Sequence, residues 1–354
     1  MLLCSQASSA QAGPVAINYG RSWPRSIVID SLRGVAYIDG MAGTYPPTGY
    51  SFGIINTSSH TVERVLGLNV TSGELALDPA TGNVYVAGED SVEVFQKSTQ
   101  SFTRVVDVGV PIRYILFDNT SGNLFVTANG AVYEFDPASG EVLRNATVGV
   151  AAEGMAMDES TGDLYVADYL SCTVVVLKAA SLSLVAVVHL PAPCYPSQIA
   201  FDKQTGSLYV TSGLNSVDVV GTADNKFERS ITVAASSSNS TFAIALDERS
   251  GNVFVLTEPG TTVTQLDGST GQVVGRFQLA SIAYEMTVDQ ATGELYVSVY
   301  HQVEVFQPLQ NQTSVPLPVV VAPVVLLVVV LTLCFVLLRG RPRRPAEATK
   351  GMAG

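Results

Sequence analysis

The feature that most constrains this chain is the skeleton Asp-x-x-x-Gly-x-aliphatic-aromatic-aliphatic, as in Asp158 to Val166, which recurs seven times. Its Asp falls at Asp30, Asp78, Asp118, Asp158, Asp202, Asp247 and Asp289. A Gly follows four residues later each time, from Gly34 to Gly293, and an aromatic three after that, from Tyr37 to Tyr296. The intervals of 48, 40, 40, 44, 45 and 42 residues match the period of propeller blades and exceed that of most helical solenoids. A repeat spread over most of 354 residues argues for one closed ring with appendages rather than two ordinary domains.

Each repeat holds four short runs rich in Val, Ile, Leu, Tyr and Phe, separated by Gly, Asp, Asn and Ser. In the second repeat they are Glu74–Asp78 (strand a), Asn83–Val86 (b), Ser91–Phe95 (c) and Phe102–Val108 (d). Short antiparallel strands in sets of four predict an all-β, seven-bladed β-propeller over 14–307, with the recurrent aromatic of strand b filling the gap between blades. The Asp-to-Gly interval is the a–b turn, where a carboxylate accepts backbone amides and Gly takes a positive φ. That turn chemistry explains the seven carboxylates without a metal.

The last repeat lacks a fourth strand, because after Gln302–Phe306 the chain runs into Pro308. At the other end Pro14–Gly20 precedes Ser26–Asp30 as a d-strand precedes the next a-strand. The N-terminal strand is therefore expected to complete blade seven and remove an exposed edge. Strands a and c run from the face carrying the b–c and d–a loops, called the top, to the bottom.

Leu317–Leu338 has no charge over 22 residues, roughly 33 Å as a helix, and is expected to cross a bilayer. Arg339, Arg341, Arg343 and Arg344 follow, which places the 339–354 tail in the cytoplasm and the propeller outside a plasma membrane crossed once. Segment 308–316 is then a stalk leaving the bottom of the disc, too short to hold it far from the bilayer. Met1–Gly13, with Ala10-Gln-Ala12, resembles the end of a signal peptide or a disordered leader. Six sequons, at Asn56, Asn69, Asn119, Asn145, Asn239 and Asn311, precede the span and suit a glycoprotein.

Five of the 19 basic residues and one of the 31 acidic ones follow the span, leaving 14 basic against 30 acidic residues ahead of it. Such an acidic exterior disfavours nucleic acid as a partner. With Cys4 in the leader and Cys334 in the span, Cys172 and Cys194 remain, both in top loops. A disulfide between them is the expectation, with two free thiols as the alternative.

The three His residues, His60, His189 and His301, fall in different blades, and no zinc, nucleophile-elbow or phosphate-loop motif occurs. The reading is thus a non-enzymatic, cofactor-free binding, adhesion or envelope module. Residues just before strand a surround the channel mouth: Arg25, Glu74, Arg113, Glu153, Gln198, Tyr284 and Glu285. The b–c loops add Asp39, Glu89, Asn129, Asp168, Glu258 and His301, and blade one an insert, Gly40–Ser51, bearing Tyr45 and Tyr50. A protein or glycan partner is expected there. The alternative is a metal-assisted lactonase- or lyase-like enzyme at the same mouth, with calcium as its ion.

Phe125–Asn129, Leu208–Ser212 and Leu164–Asp168, each followed by a strand such as Thr173–Leu177 and a Val-Gly such as Val108-Gly109, resemble the YVTN-type (YncE-like) β-propeller repeat of surface proteins. The resemblance covers about 14–307 and implies the fold. It departs from the family where the closing Asn is replaced, at Ala87, Ala167 and Ser298. No residue set matches the metal-bound carboxylates of lactonase-like propellers.

Overall fold

A computed structural model describes residues 13–20, 22–43, 47–234 and 240–309. These form seven four-stranded antiparallel sheets. Blade two runs Leu75–Leu77, Val84–Ala87, Ser91–Gln96 and Ser101–Asp107, close to its expected limits. The a-strands are Ser22–Asp30, Leu75–Leu77, Ile112–Phe117, Ala152–Asp158, Ile199–Asp202, Thr241–Asp247 and Ala283–Val288. Each touches the next and the seventh touches the first, so they close a ring around a channel.

The recurrent turn has one geometry in six blades. The Gly N–H donates to the Asp carbonyl at 2.7–2.8 Å, and the Asp carboxylate accepts the N–H two residues on, as Ser160 N–H does at 2.9 Å from Asp158. In blade one Arg33 supplies that N–H to Asp30. All seven glycines have φ between +65° and +81°, a region closed to most side chains, which is why Gly recurs there.

The seven apolar clusters each lie between two neighbouring blades, one strand-b aromatic to a cluster. Tyr85 packs with Ile115 and Leu124 of blade three, Tyr165 with Leu208 and Val210 of blade five, and Tyr296 with Ile27 and Ile38 of blade one. Stability thus resides between blades, so no blade is complete without its neighbours.

Blade seven is closed by the N-terminal strand Val15–Asn18, antiparallel to Gln302–Phe306 in the register Val15↔Val305 to Asn18↔Gln302. Ile17 and Tyr19 are buried. The Tyr19 ring lies where a side chain on Gly53 of blade one would sit, so this glycine is what lets the closing strand reach across the seam.

The blade-one insert differs from the expected loop. Strands b and c extend through it as Val35–Ala42 and Gly49–Asn56, paired to Ala42↔Gly49. Strand a lengthens with them, starting at Ser22 and pairing Trp23↔Met41 and Pro24↔Gly40. Gly40 permits this, because a Cβ there would meet the Trp23 carbonyl. Tyr50 is part of the sheet, while Tyr45 lies outside the described residues. So do 1–12, Asn239, Asn311, most of the stalk, the 317–338 segment and the tail. Among the described residues no helix is long and apolar enough to cross a membrane.

Cys172 and Cys194 form a disulfide, their Cα atoms 5.4 Å apart and 22 residues separated in sequence. It ties the b–c loop of blade four to the d–a connection into blade five. Replacing both by Ser is expected to cost about 3 kcal/mol through the restored entropy of the unfolded chain. Urea unfolding of the two proteins checks this, and equal midpoints would refute it.

Candidate functional site

The top of the channel is built by the residues entering strand a, and the sheet geometry decides which of them face inward. A bulge near the start of five inner strands, for example between Ile112 and Tyr114 and between Ala283 and Glu285, shifts the alternation there. Of the seven expected mouth residues, Glu74, Gln198 and Glu285 line a cavity of about 190 Å³ together with Ser26 and Tyr114. Arg25, Arg113 and Glu153 line an adjoining space of about 380 Å³ with Glu74 and Glu89. Tyr284 lines neither.

Inside the first cavity the polar groups are tied into a network. Gln198 reaches from blade five to blade seven, its Nε2 donating to Glu285 Oε2 at 2.6 Å, while its Oε1 accepts the Ile244 N–H of blade six at 3.0 Å. Glu285 Oε1 accepts the Met286 N–H at 2.9 Å. On the other side Ser26 Oγ donates to Glu74 Oε2 and accepts the Leu75 N–H, both at 3.2 Å. Burial pushes Glu74 up to about 8, with the Glu285 and Asp39 charges adding to it and Ser26 and Arg25 opposing. Burial likewise raises Glu285 to about 7, against its hydrogen bonds from Met286 and Gln198. Burial also raises the Tyr114 hydroxyl, helped by both glutamates. Both glutamates therefore keep their protons to higher pH than exposed carboxyls do, and a protonated carboxyl can donate as well as accept.

Two carboxylates assigned from sequence to the mouth are spent elsewhere. Asp39 is fully buried and accepts the N–H groups of Ser26 at 2.9 Å and Gly73 at 2.7 Å, tying blade one to the entry of blade two. Burial raises it to about 6, and those amides offset part of the cost. Asp168 accepts the Ala151 and Val150 N–H groups, and a side chain on Gly149 would collide with its carboxylate. His301 Nδ1 lies 3.2 Å from the Ser22 carbonyl. Sequence reasoning missed Ser26 and Tyr114 because nothing in the residue string marks the bulges.

Among the described residues no three His, Cys, Asp or Glu side chains come together as a metal-ligand group. A larger space of about 770 Å³ opens at the bottom between blades three and six, lined by turn residues such as Asp158 and Glu159 and by Lys203 and Glu248, which are ion-paired. No family model matches the sequence, and no curated protein matches it.

The glutamate pair gives the fold a pH dependence. Raised carboxylate pKa values mean that the folded state keeps these protons to higher pH than the unfolded chain. Their stabilising contribution is thus complete below the ordinary value of 4.5 and lost as pH rises through 7 and 8. Glu74→Gln is expected to stabilise the protein by about 1–3 kcal/mol at alkaline pH, a figure reduced because the group lines an open cavity, and to leave it unchanged in acid. Melting curves followed by circular dichroism across this range check the sign. Parallel curves for the two proteins would exclude it.

Proposed function

We propose that the protein is a membrane-anchored surface module that binds a polar ligand, a glycan or a polar segment of a protein, through the top mouth of its propeller. One observation carries this reading: Glu74, Glu285, Gln198, Ser26 and Tyr114, from five different blades, converge on one open polar cavity. Such convergence of donors and acceptors in a concave, preformed site is what orients a ligand rich in hydroxyl or amide groups. Burial raises the pKa of both carboxyls, which lessens their preference for a cation and suits a neutral ligand.

The uncharged 317–338 segment and the arginines after it support an anchor with its tail in the cytoplasm. Strand c of blade seven ends at Phe306 on the bottom face, opposite the mouth. The YVTN-type resemblance of the repeats fits a surface protein of this kind.

Binding of the full chain in detergent to an array of neutral and charged glycans tests the ligand. Glu285→Ala and Gln198→Ala are expected to abolish whatever binding the native protein shows. Binding unaffected by both substitutions, or none to any glycan or extracellular protein fraction, refutes the mouth as the site. Protease treatment of intact cells tests the anchor, since release of the propeller requires it to face outward.

A further inference from the structure

The rim of the disc carries one outer strand unlike the others. Strand d of blade four, Ser183–His189 (Ser-Leu-Val-Ala-Val-Val-His), has no charged residue, Pro or Gly. Leu184, Val185 and Val187 are 64%, 46% and 43% exposed. The other outer strands of six or more residues each contain an arginine, at Arg64, Arg104, Arg144, Arg229 and Arg276, and that of blade seven is only four residues long. Charge and shortness are the usual protections of a sheet edge, and among the described outer strands only this edge has neither.

A bulge at Val185 is followed by a regular stretch, Val176↔Ala186 to Thr173↔His189, whose outward N–H and C=O groups form a ready ladder. We propose that a second copy of this chain occupies the edge, pairing its own Ser183–His189 antiparallel about a two-fold axis to make one eight-stranded sheet from two blades.

Two considerations select a second copy over another occupant. Each chain is strongly acidic, with a net charge of −12, so two copies repel wherever charged faces meet. This strand brings together two neutral, apolar and identical edges, and an isologous contact is the simplest way to close an assembly. Geometry agrees as well. Strands twist by about 20–25° from one to the next, so strand d is turned on the order of 70° from strand a and runs more around the rim than along the channel. A two-fold axis parallel to the channel then pairs the two edges antiparallel and keeps both discs the same way up, as two chains anchored in one bilayer require.

The full chain in detergent is expected to sediment as a dimer of the 37.3 kDa protomer. Val187→Asp sets a charge from each chain against the other copy's Val185 beside the two-fold axis and is expected to weaken self-association by at least about ten-fold, while Val187→Ile leaves it intact. The double variant Val185→Cys with Val187→Cys, which sets each cysteine opposite the other across the two-fold axis, is expected to give a reducible covalent dimer under mild oxidation. Thr147→Cys, on the outer strand of blade three, and the native chain are expected to give none. A monomeric native chain overturns the proposal. So does a dimer that survives Val187→Asp without cross-linking at Val185 or Val187, the behaviour of association through the apolar 317–338 segment. Should Val187→Asp fail to fold, the cysteine pair decides by itself.

Discussion

A chain that begins at residue 21 is expected to lose its closed ring, the largest effect foreseen for any change to this molecule. The deleted segment removes the outer strand of blade seven, the Tyr19 N–H to His301 carbonyl bond at 3.0 Å, and two buried side chains, Ile17 and Tyr19. Side chains of this size contribute about 1.5–3 kcal/mol each when buried. With the unmade strand pairing, the total loss is on the order of 5 kcal/mol, comparable with the whole stability of many domains. Blades seven and one would also lose part of their shared cluster, which includes Ile17, Tyr19, Ile27 and Val303. Calorimetry should show a lower and broader transition. A synthetic peptide of residues 13–20 should restore part of it in trans, because the vacated edge keeps its hydrogen-bonding groups. An unchanged transition in the shortened chain would mean that the seam holds without the strand.

Phe254→Ala is expected to cost about 3–5 kcal/mol, the range for emptying a buried aromatic site. Phe254 is completely buried between blades six and seven, against Phe277, Met286, Val288 and Val297. Both flanking blades then border a cavity that a rigid ring cannot collapse to fill. Phe254→Tyr should cost about 1 kcal/mol or less, since five of the seven blades carry Tyr at this position. Chemical denaturation of the two variants separates a packing role from a hydrogen-bonding one. Similar losses for both would show that the site tolerates only the exact Phe shape, contrary to the shared role of the seven aromatics.

The candidate site divides along physical lines. Glu74 and Gln198 were readable because they precede recognisable a-strands, and Glu285 because it lies near the start of one, where position along a blade sets height in the channel. Ser26 and Tyr114 were passed over because a bulge moves side chains to the opposite face without any mark in composition. Asp39 and Asp168 looked like mouth ligands by position, yet burial leaves them only the role of accepting loop amides.

The sequence alone determined the blade number, the conformation of the a–b turns and the partner of the N-terminal strand. Each of these follows from local chemistry repeated at a fixed interval: Asp accepts an amide, Gly takes a positive φ, and an incomplete last repeat needs the first strand. Only the tertiary structure decided which polar groups meet in the channel, in which direction burial moves their pKa values, that the blade-one insert extends a sheet, and that one outer strand is left unguarded. Those properties depend on distances between residues far apart in the chain, and on the water that close packing excludes from around them.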